Sequence, residues 1–166
     1  MRSRRCASTA TAPVLLAVLV LAGCGSDTTG ESSNRGSGSE TTETTVENAF
    51  VVPRYLPGSC AIQVGSSAEL RFTVTNNRPV ETERLEGIST PAADSVRIAP
   101  DPPIEVAAGT SIAAGQPVAQ GRPFTVTLEG TKDSVQPAHS VDVTFRFEKS
   151  GDITMLVPVE ACPTQE

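Results

Sequence analysis

Hydrophobic and polar residues alternate along the carboxy-terminal two thirds of the chain. In the clearest stretch, 68–75, Leu70, Phe72 and Val74 fall on one side, and charged or threonine residues fall on the other. Such alternation predicts a strand with one buried face. Three further segments, 124–128, 141–148 and 153–160, share the pattern. Shorter candidate strands lie at 61–64, 84–89, 96–99, 104–106 and 116–118.

Turn-forming sequences such as Asn76-Asn77-Arg78-Pro79 separate these segments, and no window carries helical periodicity over three turns. Seven to nine short strands predict an all-β fold, an antiparallel β-sandwich. We place this domain at residues 49–163, a normal size for one hydrophobic core. The lack of crossover helices argues against a parallel sheet.

The amino-terminal segment has the pattern of an export signal. Arg2, Arg4 and Arg5 precede an apolar run at 12–22, which is shorter than the roughly 20 residues that span a bilayer. Residues 1–23 are therefore predicted to be a signal peptide. The run ends in Leu21-Ala22-Gly23-Cys24, which resembles the lipobox of bacterial lipoproteins. That resemblance implies cleavage before Cys24, acylation of its thiol, and a protein anchored on the outer side of the cell membrane.

Residues 24–48 are mostly Ser, Thr, Gly, Asn, Glu and Asp, with Val46 the only large apolar residue. This composition predicts a flexible tether. Loss of the three signal-peptide arginines takes the formal charge from −6 to −9. An acidic protein is repelled by anionic lipid and by nucleic acid, so the acyl chains must provide the membrane attachment, and nucleic acid is excluded as a partner.

Four cysteines occur in the chain. Cys6 leaves with the signal peptide and Cys24 carries lipid, so Cys60 and Cys162 remain, one near each end of the domain. In an oxidising compartment they are predicted to form a structural disulfide. A redox-active or metal-binding thiol pair is the alternative.

Several segments resemble the PCuAC family of periplasmic copper chaperones, and the layout resembles actinobacterial lipoproteins of the LpqE type. The matching segments are 85–96, 124–132, 143–154 and Val157-Pro158-Val159. The most specific piece is Phe145-x-Phe147-Glu148-Lys149-x-Gly151 followed by that last strand. The resemblance implies a cupredoxin-like β-sandwich.

The family's copper ligands are missing from this sequence. PCuAC proteins bind Cu(I) through His and Met. The resemblance places one His where Ala99-Pro100 stand, and a His-x-Met pair where Thr125 and Thr127 stand. The residues left for a divergent copper site are His139, in a loop before a strand, and Met155, which has the parity of a core residue.

The sequence has no phosphate loop, Cys-x-x-Cys, paired-histidine motif or nucleophile elbow, so we predict no enzyme activity and no cofactor. Glu81, Glu83 and Glu86 are interpreted as a solvent-exposed edge. The favoured hypothesis is a non-catalytic binding or accessory module that contacts an envelope protein through loops at one end of the sandwich. A divergent copper chaperone and a structural spacer are the alternatives.

Overall fold

The computed structural model describes residues 36–38, 43–55, 63–117 and 124–161. The predicted signal peptide, Cys24, Cys60, Cys162 and most of the tether lie outside these ranges. Within them, no helix is long and apolar enough to cross a membrane.

The described residues form ten strands in two sheets. The strands are β1 (Gly36–Gly38), β2 (Thr44–Pro53), β3 (Ala68–Asn76), β4 (Glu83–Ser89), β5 (Ala93–Ala99), β6 (Ile104–Val106), β7 (Ser111–Ala114), β8 (Thr125–Thr131), β9 (Ser140–Phe147) and β10 (Gly151–Pro158). In the larger sheet the order is β1-β2-β3-β8-β5, and in the smaller sheet it is β10-β9-β4-β6. All strand pairs within the sheets are antiparallel, which confirms the predicted β-sandwich.

Strand β7 also belongs to the larger sheet, because β7 and β8 divide one edge of β3 between them. β7 pairs with residues 72–75 and β8 pairs with residues 68–69. The backbone N–H of Gly115, just after β7, donates to the carbonyl of Phe124, just before β8, at 2.8 Å. The junction between the two strands therefore lies at the middle of β3.

The core lies between the sheets and is built from the predicted alternating positions. Leu70, Phe72 and Val74 are at most 2% exposed. The ring of Phe72 packs edge-on against Phe145 of the opposite sheet, with centroids 4.9 Å apart. The inward positions of β8, β9 and β10 are buried in the same way, which confirms the parity that the sequence indicated.

The sandwich begins before residue 49, where the sequence analysis placed its start. β2 starts at Thr44, and both Thr44 and Val46 are fully buried. The register of β2 against β3 shifts between Glu47 and Phe50, and Asn48 has a φ of +52°. This β-bulge puts Val46 and Val51 on the same face although they are five positions apart, an odd offset that would put them on opposite faces of a regular strand. For this reason β2 cannot be predicted from alternation of hydrophobic and polar residues.

Two short predicted strands are not found among the residues that the structure describes. Gln116 and Pro117, the described part of the segment predicted at 116–118, lie outside any strand. The strand in this region is β7, which ends at Ala114. The segment predicted at 61–64 ends in a turn, where Val64 is 61% exposed. Residues 61, 62 and 118 lie outside the described ranges.

Candidate functional site

The structure brings together the three positions that correspond to copper ligands in the resembling family. Ala99, at the end of β5, is the cross-strand partner of Thr125 at the start of β8. Thr127 follows two residues later and so projects from the same face. Because Ile98, Val126 and Leu128 are buried, Ala99, Thr125 and Thr127 lie on the outer face of the larger sheet. A methyl group and two hydroxyls now occupy this place.

A hollow of about 290 Å³ lies on that face beside the two threonines. We call it the Arg54 hollow. It is lined by Val52, Pro53, Arg54, Ser67, Ala68, Glu69, Thr125 and Thr127. Its residues come from the end of β2, the start of β3 and the start of β8, which adjoin in the sheet. The hydroxyls of Ser67, Thr125 and Thr127 make no hydrogen bond to another side chain in the described part of the chain.

An ion pair separates the Arg54 hollow from a second hollow of about 230 Å³ near the junction of β7 and β8. Glu69 lines the first hollow and Arg71 lines the second, and their side chains are 2.9 Å apart. Gly115 packs against this pair with a φ of +74°, and a Cβ there would lie 2.5 Å from Glu69 Oε1. Only glycine fits this position without movement of the ion pair.

The outer face of the smaller sheet has a different surface. Its exposed arginines are paired with carboxylates: Arg84 lies 3.0 Å from Glu148 and 3.3 Å from Glu105, and Arg146 lies 4.0 Å from Asp152. Thr144 and Thr154 hydrogen bond to each other across the strands at 2.9 Å. These arginines and threonines of the smaller sheet are therefore paired with their neighbours.

The two residues considered for a divergent copper site are not brought together. Met155 is 8% exposed and belongs to the core, whereas His139 is exposed in the loop before β9. The backbone N–H of Val159 donates to the carbonyl of His139, and Met155 lies four residues before Val159, so the two residues are about 13 Å apart along the sheet. Within the described ranges no group of three His, Cys, Asp or Glu side chains could hold a metal ion.

A buried ionic cluster occupies the end of the sandwich where β2 begins. We call it the Arg78–Glu83 cluster, and it consists of Thr44, Arg78, Glu83 and Ser150. Arg78 Nη1 donates to Glu83 Oε2 at 2.8 Å, and the hydroxyls of Thr44 and Ser150 donate to the same oxygen at 3.1 and 2.9 Å. These residues join β2, the β3–β4 connection and the β9–β10 turn, so the cluster ties the two sheets together.

Glu83 corrects the prediction of a solvent-exposed edge, because it is fully buried while Glu81 and Glu86 are exposed. Burial by itself would raise the pKa of Glu83. Backbone N–H groups of Lys149 and Arg84 and the hydroxyls of Ser150 and Thr44 hold its pKa below the usual glutamate value. The carboxylate is therefore charged and supports the fold. Its partners lie up to 67 residues away in sequence, so local pattern could not identify them.

Sequence reasoning also missed Arg54. It follows β2, the strand that the bulge concealed, so the sequence did not indicate that it would reach the face carrying Thr125 and Thr127. The resemblance to PCuAC proteins indicated the two threonines. Arg54 reaches the same hollow because it follows β2, which pairs with β3, and β3 pairs with β8.

Three solved structures share the fold of this chain. A copper-bound PCuAC domain from PmoF2 is 22% identical, with a TM-score of 0.56, over 76% of this chain and 99% of that domain. An apo PCuAC domain from PmoF1 is 17% identical, with a TM-score of 0.59, over 76% and 100%. The apo PCuAC domain of PmoF2 is 21% identical, with a TM-score of 0.54, over 76% and 93%. These likenesses confirm the cupredoxin-like sandwich.

No protein with a curated description matches the sequence significantly. A family model does match it, over residues 44–159, and this range begins at the first residue of β2 and ends one residue after β10. The match covers more than half of the chain. The protein therefore belongs to the LpqE-like lipoprotein family.

Proposed function

We propose that this protein is a membrane-anchored, extracytoplasmic binding module of the cell envelope, without catalytic activity, which contacts an envelope protein. One observation carries the proposal. On a PCuAC-like scaffold, Ala99, Thr125 and Thr127 stand where the resemblance places copper ligands, and beside them lies a hollow whose hydroxyls bond to no other side chain among the described residues. Hydroxyls are poor Cu(I) ligands, whereas they are effective hydrogen-bond donors and acceptors toward an organic partner.

The binding surface in this proposal is the outer face of the larger sheet with the loops beside it. Half-buried Val52 of β2 supplies apolar area next to the hydroxyls of β8, and half-buried Phe50 lines the second hollow on the same face. Apolar groups combined with a few polar groups are characteristic of recognition sites. The smaller sheet supports the choice by contrast, because the arginines of its outer face are paired with carboxylates, whereas Arg54 has no carboxylate partner among the described residues.

A pair of matched substitutions tests the surface. Thr127→Arg places a long cation in the Arg54 hollow, and Thr144→Arg places one on the outer face of the smaller sheet. After cross-linking in intact cells and solubilisation in detergent, we expect Thr127→Arg to lose a protein partner that the wild type and Thr144→Arg recover. Recovery of no partner above a Cys24→Ala control, or equal loss in both variants, would contradict the proposal.

The anchoring is proposed on the family membership and on the lipobox at Leu21-Ala22-Gly23-Cys24. We expect residues 1–23 to be removed and Cys24 to carry the acyl chains, with the segment after it acting as a tether. Metabolic labelling with a palmitate analogue should mark the wild type and leave Cys24→Ala unlabelled. Equal labelling of both proteins would contradict the assignment.

The disulfide between Cys60 and Cys162 is proposed on the convergence of the chain near both residues. Val51 and Val159 form a parallel bridge, Glu160 N–H donates to the carbonyl of Val51 at 2.8 Å, and the Tyr55 hydroxyl donates to the carbonyl of Glu160. Tyr55 precedes Cys60 by five residues, and Glu160 precedes Cys162 by two. Alkylation of the native protein followed by mass spectrometry should detect two free thiols only after reduction; two free thiols without reductant would contradict the pairing.

A further inference from the structure

Arg54 differs from the other basic side chains of the described ranges in having no carboxylate partner. Every other arginine or lysine there lies within 4.0 Å of an Asp or Glu oxygen, and these residues are Arg71, Arg78, Arg84, Arg97, Lys132, Arg146 and Lys149. In a protein with an excess of acidic side chains, an exposed arginine that has no carboxylate partner among the described residues can bind an external anion.

Arg54 shares the lining of its hollow with further hydrogen-bond donors. Ser67, Thr125 and Thr127 each supply a hydroxyl that no other described side chain uses. Val52, Pro53 and Ala68 supply an apolar part of the wall. At about 290 Å³, the hollow lies at the lower end of the range of small-molecule sites, roughly 300 to 1,000 Å³. A ligand of this hollow is therefore small, with an anionic end and an apolar end.

The charge of the ligand is limited by Glu69. Its carboxylate lines the hollow, and one arginine, Arg71, is paired with it at 2.9 Å. A dianion such as phosphate would meet this carboxylate and the acidic surface as a whole, and like charges at short range repel. A carboxylate brings a single charge and a planar pair of oxygens that match a guanidinium.

We infer that the Arg54 hollow binds a small monocarboxylate that bears a short apolar group, with Arg54 and the hydroxyls of Ser67, Thr125 and Thr127 holding the carboxylate. This inference deepens the proposed function by naming a ligand class for the same face of the larger sheet. It is separable from the protein partner, because isobutyrate binding is measured on the purified protein, whereas the partner is recovered by cross-linking in cells.

The test is a ligand-observed NMR titration of the mature lipidated protein in nanodiscs with isobutyrate, which is charged and branched. Isobutyramide, its uncharged isostere, and inorganic phosphate are the comparison probes. We expect isobutyrate to bind with a Kd on the order of 1 mM, corresponding to about 4 kcal/mol. Isobutyramide should bind at least tenfold more weakly, and phosphate should fail to displace isobutyrate.

Three variants locate the site. Arg54→Gln should weaken isobutyrate binding at least tenfold, and Thr127→Val should weaken it several-fold. Arg146→Gln is the matched control, because Arg146 is 60% exposed on the outer face of the smaller sheet and lies 4.0 Å from Asp152. It should change binding less than twofold. Circular dichroism confirms that each variant is folded.

Four results would overturn the inference. The first is no isobutyrate binding at about 50 mM, fifty times the expected Kd, and the second is isobutyramide binding as tightly as isobutyrate. The third is displacement of bound isobutyrate by phosphate at a concentration below that of isobutyrate. The fourth is unchanged isobutyrate binding in both Arg54→Gln and Thr127→Val. The third would reassign the hollow to phosphate. The fourth would place the carboxylate elsewhere on the protein.

Discussion

Two arginines in this protein have opposite surroundings, and the contrast separates the residues that hold the fold from those available for binding. Arg78 is 7% exposed, and its guanidinium donates to Thr44, Glu83, Glu43 and Ser150. Arg54 is exposed and has no acidic partner among the described residues. A buried charge must be paired to be tolerated, whereas an exposed charge can remain free for a ligand. The same residue type therefore has a structural role at one position and a proposed binding role at the other.

The largest expected effect comes from breaking the Arg78–Glu83 cluster. Glu83→Gln removes the buried partner of Arg78 and leaves only the exposed carboxylates of Glu43 and Glu81 beside it. It should destabilise the protein by about 3–5 kcal/mol, since it breaks a buried ion pair. Glu86→Gln, on the same strand but exposed, should stay within about 0.5 kcal/mol of the wild type. Urea unfolding followed by circular dichroism gives both values. A decrease of less than about 1 kcal/mol in the unfolding free energy of Glu83→Gln would contradict a structural role for the cluster.

A smaller effect is expected from Thr44→Val, which keeps the shape of the side chain. Its hydroxyl donates to Glu83 at 3.1 Å and accepts from Arg78 at 2.9 Å, so its loss should cost about 1–3 kcal/mol. Thr45→Val is the matched control, because the neighbouring residue is half-buried on the opposite face of β2. Equal unfolding midpoints for the two variants would show that the buried hydroxyl contributes nothing.

The pH dependence of the unfolding free energy should show the contribution of the Glu83 carboxylate to stability. The folded-state pKa of Glu83 is lowered, chiefly because hydrogen bonds to its carboxylate outweigh the burial that would raise it. Its stabilising contribution is therefore complete above the unfolded-state value of about 4.3 and is lost as pH falls through the lower folded-state value. The stability difference between wild type and Glu83→Gln should be constant near neutral pH and narrow in acid. A difference that stays constant into strong acid would contradict the pKa direction.

The smallest effect is expected at the other arginine. Arg54→Gln should change the unfolding free energy by less than about 0.5 kcal/mol, because no described contact is lost with the charge. Thermal unfolding of this variant beside Arg78→Gln measures the contrast directly. Destabilisation of Arg54→Gln comparable to that of Arg78→Gln would mean that Arg54 is also structural.

The strands that the sequence predicted are those whose inward residues follow strict alternation. Leu70, Phe72 and Val74 determine β3 without reference to the rest of the chain, and β8, β9 and β10 follow in the same way. β2 could not be predicted, because the bulge at Asn48 changes its parity. β7 could not be predicted either, since Ser111–Ala114 is four residues long with a single buried side chain.

The candidate site was predicted only in part. The resemblance to PCuAC proteins indicated Thr125, Thr127 and Ala99, and the strand register confirmed that they share one place. Arg54, Ser67 and Glu69 join them only through pairing between strands distant in sequence. Glu83 was placed on the surface, because a carboxylate in a polar stretch has no local sign of burial. Its environment depends on Thr44 and Ser150, which are brought to it by the fold.

The proposed function requires that this PCuAC-like scaffold serves binding without a Cu(I) site. The direct measurement is a Cu(I) titration of the mature protein, with its cysteines paired, against a competing chelator of known affinity. Thr125→His/Thr127→Met is the comparison variant, because it restores soft donors on the outer face of β8. We expect the wild type not to compete stoichiometrically with the chelator for Cu(I), and the double variant to compete measurably. Stoichiometric Cu(I) binding by the wild type that weakens in His139→Ala or Met155→Leu would contradict the proposed function.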